Sequence, residues 1–139
     1  MRHPPNPFQA EWPASPRSVA DARHEVMAVL RAHATADPPS SDIELVVSEA
    51  VSNAINHAYV GREPGPVRVR VTMGDEEIEL MVEDDGKGMS PRVDSPGLGL
   101  GLPLIARMAE RFDIQSPANG GTRVFAWFRR DPAAATMPA

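Results

Sequence analysis

Three polar residues near the middle of the chain have a spacing that could bind a cation. Glu49, Asn53 and Asn56 lie four and then three residues apart. On a helix with about 100° per residue they therefore fall on one stripe roughly 60° wide. Carboxylate and amide oxygens side by side could hold a hard cation such as Mg²⁺, or position a water or hydroxyl group. The alternative is a solvated polar stripe, which is the more common arrangement for a helix considered alone.

A second candidate is Asp84, which ends a segment of alternating character. Every second residue before it is aliphatic, namely Ile78, Leu80 and Val82. Counting by two places Asp84 on the apolar face, where a carboxylate is costly unless hydrogen-bond donors satisfy it. Gly86 and Gly88 follow closely and allow the backbone to turn and to approach a ligand. The pattern indicates a carboxylate that reads the edge of a flat amino-bearing ring such as adenine. The alternative is a strand-end aspartate that caps the next turn.

A third candidate is a glycine run directly before a predicted helix. It reads Gly97-Leu98-Gly99-Leu100-Gly101-Leu102. Backbone N–H groups without side chains, together with the positive end of a helix dipole, suit a phosphate group. The run is not a Rossmann fingerprint, because its third glycine comes too early, and the chain has no Gly-Lys-Ser or Gly-Lys-Thr of a Walker A loop. A flexible hinge is the alternative, and a loop that closes over a nucleotide can be both.

The elements that must position these residues begin with a strand and two helices. Alternation predicts a short strand over residues 8–12. Apolar residues at helical spacing predict a first helix from about Ser18 to Ala34. Ser41 and Glu44 have the spacing of a capping box, so we expect a second helix from about Asp42 to Ala58 or Tyr59.

The second half of the chain predicts a hairpin, a helix and two closing strands. Val67–Met73 and Ile78–Val82 alternate on either side of a Gly-Asp-Glu turn, with arginines set against glutamates. A third helix starts near Gly101, and its apolar side consists of Leu104, Ile105, Met108, Ala109 and Phe112. The closing strands span about Asp113–Ser116 and Thr122–Arg129. This order predicts an α+β two-layer sandwich, in which about three helices cover one face of a mixed, mostly antiparallel sheet.

Composition narrows the class of protein. The 139 residues are 42% hydrophobic and 24% charged, which suits one globular domain. We expect this domain over residues 8–130, with disordered ends at 1–7 and 131–139. A net charge of −5 disfavours nucleic acid as a partner, and the chain has no cysteine for a disulfide or a thiolate metal site. Without a signal peptide or a long apolar run, the expected compartment is the cytoplasm.

Four strings resemble, in this order, the N, G1, G2 and final Gly-Thr boxes of the GHKL or Bergerat-fold ATP-binding superfamily: SEAVSNAINHA (48–58), VEDDGKGM (82–89), GLGLGLPLI (97–105) and GGTRV (120–124). Gyrase-type and mismatch-repair members need a larger transducer domain. Sensor histidine kinases need a dimerising hairpin with a phospho-acceptor histidine, for which the residues before the N box are too few. The chain therefore most resembles the stand-alone anti-sigma-factor serine kinases of bacteria.

The resemblance implies roles for the matching residues. Asn53 would coordinate Mg²⁺, and Glu49 would act as general base, or orient the attacking hydroxyl, when the γ-phosphate of ATP moves to a protein serine. Asp84 would accept a hydrogen bond from the adenine amino group, and Thr122 would lie near the adenine. The remaining ATP-binding residues would be Gly86 and Gly88 at the adenine, and Gly97, Leu98, Gly99, Leu100 and Gly101 at the phosphates.

Partners also follow from the resemblance. Kinases of this family are homodimers that sequester a sigma factor and phosphorylate a STAS-type anti-anti-sigma protein, so we expect the same partners here, with no direct nucleic acid and no membrane. Two alternatives remain open. One is a non-catalytic, nucleotide-responsive binding module, and the other is the detached catalytic half of a histidine kinase.

Overall fold

The structure is a computed structural model that describes residues 7–33, 40–87, 101–118 and 120–130. Its elements are, in chain order, β1 (Phe8–Pro13), α1 (Arg17–His33), α2 (Ser40–Asn53), a π-helical segment (Ala54–Ala58), β2 (Pro66–Met73), β3 (Glu77–Asp84), α3 (Gly101–Met108), β4 (Arg111–Gln115) and β5 (Thr122–Arg129). The predicted order of strands and helices, and with it the α+β class, is confirmed. Within the described residues, no helix has the length and apolar character needed to cross a bilayer.

The five strands form one sheet in the order β1-β2-β3-β5-β4. All neighbours pair antiparallel, so the described strands contain none of the parallel pairing that a mixed sheet would require. The predicted hairpin is confirmed in β2 and β3, where Arg68 lies opposite Glu83. Because β3 and β5 pair antiparallel, the end of β3 is beside the start of β5, and Asp84 lies opposite Thr122.

The core lies between this sheet and the three helices. The buried residues of β2, β3 and β5 alternate with exposed or half-buried ones, as the period of two requires, except at Met81 of β3, which is buried although it lies on the other face. The largest fully buried side chains are Phe128, Leu30, Ile43, Ile78, Leu80 and Ile105, together with several valines. Each such aliphatic or aromatic side chain contributes about 1.5–3 kcal/mol through its removal from water. The helices are therefore fixed on one face of the sheet by apolar packing.

The opposite face of the sheet carries charges and a small aromatic cluster. Arg68 and Glu83 form an ion pair there, with the Arg68 Nε and Glu83 Oε1 atoms 2.7 Å apart. The rings of Phe125 and Trp127 stack with centroids 5.7 Å apart. The indole N–H of Trp127 donates a 3.0 Å hydrogen bond to Glu79. This face has the mixed polar character of an antiparallel sheet with one face uncovered.

The predicted apolar side of the third helix is wrong at Phe112. The helix ends at Met108, and Phe112 belongs to β4, where it lies opposite Ala126 and is 37% exposed. The reason is a tertiary contact that helical periodicity does not reveal. The backbone N–H of Glu110 donates a 2.8 Å hydrogen bond to the carbonyl of Trp127, so β5 captures the chain one residue after Ala109.

The second helix differs from its prediction at its start and in the bonding of its last turn. It begins at Ser40 rather than Asp42, so Ser41 lies in the first turn rather than at the cap. Serine suits several positions at a helix start, and two adjacent serines left the cap ambiguous. At the other end, helical structure continues to Ala58 as predicted, but residues 54–58 form a π-helix. The i→i+5 bonding of that segment inserts an extra residue into the turn.

Candidate functional site

The carboxylate of Asp84 lies at the end of β3, between Val67 of β2 and Thr122 of β5. It is 7% exposed and lies on the helix-covered face, as its position in the alternation predicted. The backbone N–H of Gly86 donates a 2.9 Å hydrogen bond to Asp84 Oδ1, so the alternative role, a cap on the next turn, is also present. Burial raises the pKa of Asp84, the charge of Asp85 adds to the rise, and the backbone N–H groups of Gly86 and Thr122 oppose it.

The turn after Asp84 packs against the end of the π-helical segment. The backbone N–H of Lys87 donates a 2.9 Å hydrogen bond to the carbonyl of Ala58. A Cβ added at Gly86 would overlap that same carbonyl oxygen. Gly86 is therefore required by the protein's own packing, because only a bare α-carbon lets the two backbones come this close. The contact brings the end of the middle helical region to the carboxylate.

A second pair of glycines closes the other side of this turn. Gly120 and Gly121 have φ angles of +99° and +87°, a region that side chains rarely occupy. The N–H of Gly121 donates a 3.0 Å hydrogen bond to the carbonyl of Gly86, and a Cβ at Gly121 would overlap the carbonyl oxygen of Asp84. The predicted Gly-Thr box thus places buried Thr122 beside Asp84. The sequence analysis did not predict this structural role of Gly121. The feature that could have indicated it is the pair of adjacent glycines directly before a predicted strand.

Tyr59 and Arg68 also hold this turn. Neither was predicted to be part of the site. The Tyr59 hydroxyl accepts a 2.9 Å hydrogen bond from the Asp85 N–H and donates a 2.6 Å bond to the Pro66 carbonyl. Arg68 binds the Asp85 carboxylate, with 3.0 Å between Nη1 and Oδ2, and lowers the pKa of Asp85. Both residues are far from Asp85 in sequence, so no local pattern could have indicated these contacts.

The predicted stripe on the middle helix is divided by the π-helical segment. Glu49 and Asn53 lie one helical turn apart on α2 and are both half-buried. Asn56 lies beyond the change to π-helical bonding and is exposed, with its amide nitrogen 3.3 Å from Ser52 Oγ. The rotation of 100° per residue about the helix axis, on which the predicted stripe was based, therefore does not apply as far as Asn56. The pair that shares a face of α2 is Glu49 and Asn53.

The sequence that forms this buried strand-end carboxylate, helix end and glycine turn matches a known family. A family model described as a histidine kinase-like ATPase domain matches residues 12–127. The chain belongs to this family. The resemblance to the GHKL superfamily is thereby confirmed.

Two relatives and one solved structure describe the similarity. An anti-sigma F factor of Clostridium botulinum (strain Eklund 17B / Type B) is 30% identical over 133 residues, covering 86% of this chain and 91% of the relative. The serine-protein kinase RsbW of Oceanobacillus iheyensis is 33% identical over 80 residues, covering 58% of this chain and 51% of the relative. A crystal structure of RsbU and RsbW domains from Mycobacterium tuberculosis aligns with a TM-score of 0.70 at 22% identity, over 94% of this chain and 34% of that one. The last similarity concerns the fold alone.

Several predicted site residues of this histidine kinase-like ATPase domain lie outside the described residues. They are Gly88, Gly97, Leu98, Gly99 and Leu100. Gly101 is the first residue of α3, so the predicted helix start after the glycine run is confirmed. The phosphate-binding role of the run stays a prediction.

A hollow at the far end of β3 from Asp84 is chemically unsuited to a phosphate group. It lies around the start of β3 and is lined by Asp75, Glu76, Glu77, Glu79 and Glu110, with Arg129 beside them. Strand geometry places the start of β3 roughly 23 Å from Asp84. Five carboxylates would repel a polyphosphate. The region around Asp84 is therefore the better candidate site.

Proposed function

We propose that this domain is an ATP-dependent anti-sigma factor of bacteria with protein serine kinase activity. The observation that carries the proposal is the buried carboxylate of Asp84 beside a turn made of bare backbone. The anti-sigma F factor and the serine-protein kinase RsbW among the relatives support the choice of kinase and partner class. The partners we propose are a sigma factor and a STAS-domain anti-anti-sigma protein, with the domain acting as a homodimer in the cytoplasm.

Asp84 is proposed to select the adenine base. Its buried carboxylate offers an acceptor to the exocyclic amino group, and a hydrogen bond made away from water discriminates strongly against a base that lacks the donor. Gly86 and Thr122 would flank the base, because both lie against Asp84. Gly88 and the run from Gly97 to Gly101 are proposed to contact the ring and the phosphates.

Asn53 is proposed to hold Mg²⁺ through its amide oxygen. Among the residues with described positions, no three His, Cys, Asp or Glu side chains group together as a metal site. A single amide ligand nevertheless suits Mg²⁺, which is commonly held by few protein atoms together with phosphate oxygens and water. The ion would neutralise charge on the phosphates.

Glu49 is proposed to act on the attacking serine of the partner protein. It lies one turn before Asn53 on the same helix, so its carboxylate is on the side proposed for the metal and the γ-phosphate. The serine oxygen would form a bond to the γ-phosphorus while the bond to the departing ADP breaks, and Glu49 would accept the hydroxyl proton.

The kinase proposal is tested by incubating the domain with ATP, Mg²⁺ and the STAS-domain protein of the same genome. We expect an acid-stable phosphate on a serine of the STAS protein. Absence of transfer with the correct partner would remove the kinase assignment. An acid-labile phosphate on a histidine of another protein would instead identify the detached half of a histidine kinase.

Asp84→Asn should weaken ATP binding by about 1–3 kcal/mol, which is roughly a 5- to 150-fold rise in Kd. Asparagine keeps an oxygen for the Gly86 N–H, but its NH₂ group would be set against the amino group of adenine. Isothermal titration calorimetry measures the change. Asp113→Asn is the matched control, because Asp113 is exposed on β4 and should bind ATP as the wild type does. Unchanged affinity in Asp84→Asn would contradict the adenine assignment.

The same substitution should not destabilise the unliganded domain. Because the folded-state pKa of Asp84 is raised, its contribution to stability is present below the unfolded pKa and is lost as the pH rises through the folded pKa. We therefore expect the stability of Asp84→Asn to improve relative to the wild type as the pH rises above about 4, the ordinary pKa of an aspartate carboxyl. Thermal unfolding at a series of pH values measures the difference, and a relative loss with rising pH would contradict the burial argument.

A further inference from the structure

We infer that Tyr59 is a positioning residue for base recognition, because its hydroxyl fixes the backbone next to the carboxylate of Asp84. This inference rests on the proposed function, since it concerns the residue proposed to select adenine. Tyr59 would not touch the nucleotide. It would act through the peptide bond that joins Asp84 to Asp85.

The Tyr59 hydroxyl bridges two strands at the place where their pairing ends. The last paired residues of β2 and β3 are Val67 and Asp84, and the same register would set Pro66 opposite Asp85. The hydroxyl oxygen lies 2.6 Å from the Pro66 carbonyl oxygen and 2.9 Å from the Asp85 nitrogen. The side chain thus takes the place of a direct contact between the two strands.

The directions of these two bonds are fixed by chemistry. An amide N–H can only donate, so the hydroxyl accepts from Asp85 and gives its one proton to the Pro66 carbonyl. Burial is the largest influence on the Tyr59 hydroxyl and raises its pKa, which keeps the proton in place at neutral pH. A phenylalanine would leave the N–H and the carbonyl without this partner.

The ring of Tyr59 is held as firmly as its hydroxyl. The side chain is 9% exposed. A Cβ added at Gly65 would lie 2.7 Å from Tyr59 Cε1, so the ring rests directly on the glycine backbone. Gly65 is itself tied to the end of β1 by a 3.0 Å hydrogen bond from the Ala14 N–H. The packing of the ring against Gly65 therefore fixes the position of the hydroxyl.

Other contacts constrain different parts of the same turn. Gly121 binds the carbonyl of Gly86, and Ala58 binds the N–H of Lys87. Arg68 binds the side chain of Asp85. The backbone N–H groups of Gly86 and Thr122 bind the Asp84 carboxylate itself. Tyr59 instead binds the N–H of the peptide that joins Asp84 to Asp85. Its loss should therefore release the main chain that carries the Asp84 carboxylate, while the other contacts keep the turn in place.

The test compares two nucleotides that differ only in the group that Asp84 would read. ATP carries the 6-amino group, and purine riboside triphosphate has hydrogen there. We expect the wild type to prefer ATP by about tenfold. In Tyr59→Phe the Kd for ATP should rise by about tenfold, while that for purine riboside triphosphate changes less than about twofold, so the preference disappears.

Trp127→Phe is the matched control. It removes the single indole hydrogen bond to Glu79 on the opposite face of the sheet, whereas Tyr59→Phe removes two hydrogen bonds beside Asp84, and it should keep the preference for ATP. A Tyr59→Phe protein that keeps the full preference, or that weakens both nucleotides equally, would overturn the inference. A wild type that binds ATP without preference, or not at all, would instead overturn the proposed function of Asp84.

A second measurement needs no substitution and covers the case in which Tyr59→Phe does not fold. The chain has one tyrosine, so wild-type protein labelled with 3-fluorotyrosine gives a single ¹⁹F resonance from this site. We expect the resonance to shift with ATP and to shift less with purine riboside triphosphate. Equal shifts with both nucleotides, or no shift when calorimetry shows ATP bound, would overturn the inference.

Discussion

Replacing Glu49 with glutamine should lower the rate of phosphoryl transfer by roughly 100- to 10,000-fold, the range that a general base contributes. Glutamine has the shape of glutamate but cannot accept the proton of the attacking serine. ATP binding should stay within about twofold of the wild type, because the proposed adenine and metal contacts are made by Asp84 and Asn53. The rate of phosphoserine formation on the STAS partner measures the loss of transfer, and the Kd for ATP measures whether binding is unchanged.

Glu44→Gln provides the control for this result. Glu44 lies on the same helix but on its exposed side, where its carboxylate is 3.9 Å from the Arg23 guanidinium. Its replacement should leave transfer unchanged, since exposed pairs at this distance contribute little. If Glu49→Gln transfers phosphate at the wild-type rate, Glu49 is not the base. If partner release depends on nucleotide but is indifferent to Glu49→Ala, the non-catalytic binding module is the better description.

The second large effect concerns stability, and its site is Gly121. Gly121→Ala should lower the free energy of unfolding by roughly 2–5 kcal/mol, because two penalties combine there. The φ angle of +87° strains any residue with a Cβ, and the new Cβ would overlap the backbone oxygen of Asp84. Backbone atoms of a paired strand cannot move aside as a flexible side chain can. Denaturant unfolding measures the loss as a shift in midpoint.

Two other glycines separate the two penalties. Gly61 has a similar φ angle of +76° but no neighbour within 4 Å of an added Cβ, so Gly61→Ala should cost only the conformational part, roughly 1–2 kcal/mol. Gly86→Ala tests the other penalty alone, because its Cβ would overlap the Ala58 carbonyl while its φ angle is not positive. If Gly61→Ala and Gly121→Ala lose the same stability, the close contact between Gly121 and Asp84 is contradicted.

Strand alternation predicted the most important feature of the candidate site. A strand has a side-chain period of two, so one aliphatic residue on β3 determines the face of all the others. The buried position of Asp84 follows from that count, and the hairpin register follows from the charges that face each other. The antiparallel order of the sheet was harder to predict, because it depends on how β5 returns beside β3.

Contacts between distant segments account for what sequence analysis missed. Helical spacing placed Phe112 on α3, but the hydrogen bond between Glu110 and Trp127 pulls the chain into the sheet first. The π-helical turn at residues 54–58 leaves no mark in a pattern based on 3.6 residues per turn. The bridge from Tyr59 to Asp85 joins residues that are 26 positions apart. For Phe112 and Tyr59 a tertiary interaction overrides or adds to a correct local pattern.

The turn beside Asp84 is held by contacts between main-chain atoms as well as by the side chains of Tyr59 and Arg68. Its main-chain contacts involve the carbonyls of Ala58, Asp84 and Gly86 and the N–H groups of Lys87 and Gly121. Every amino acid except proline has the same main-chain groups. The sequence therefore specifies these main-chain contacts chiefly by placing glycine at Gly86 and Gly121, where a side chain would prevent them. The turn is correspondingly hard to redesign, because a larger side chain at Gly86 or Gly121 would disrupt the packing of the main chain.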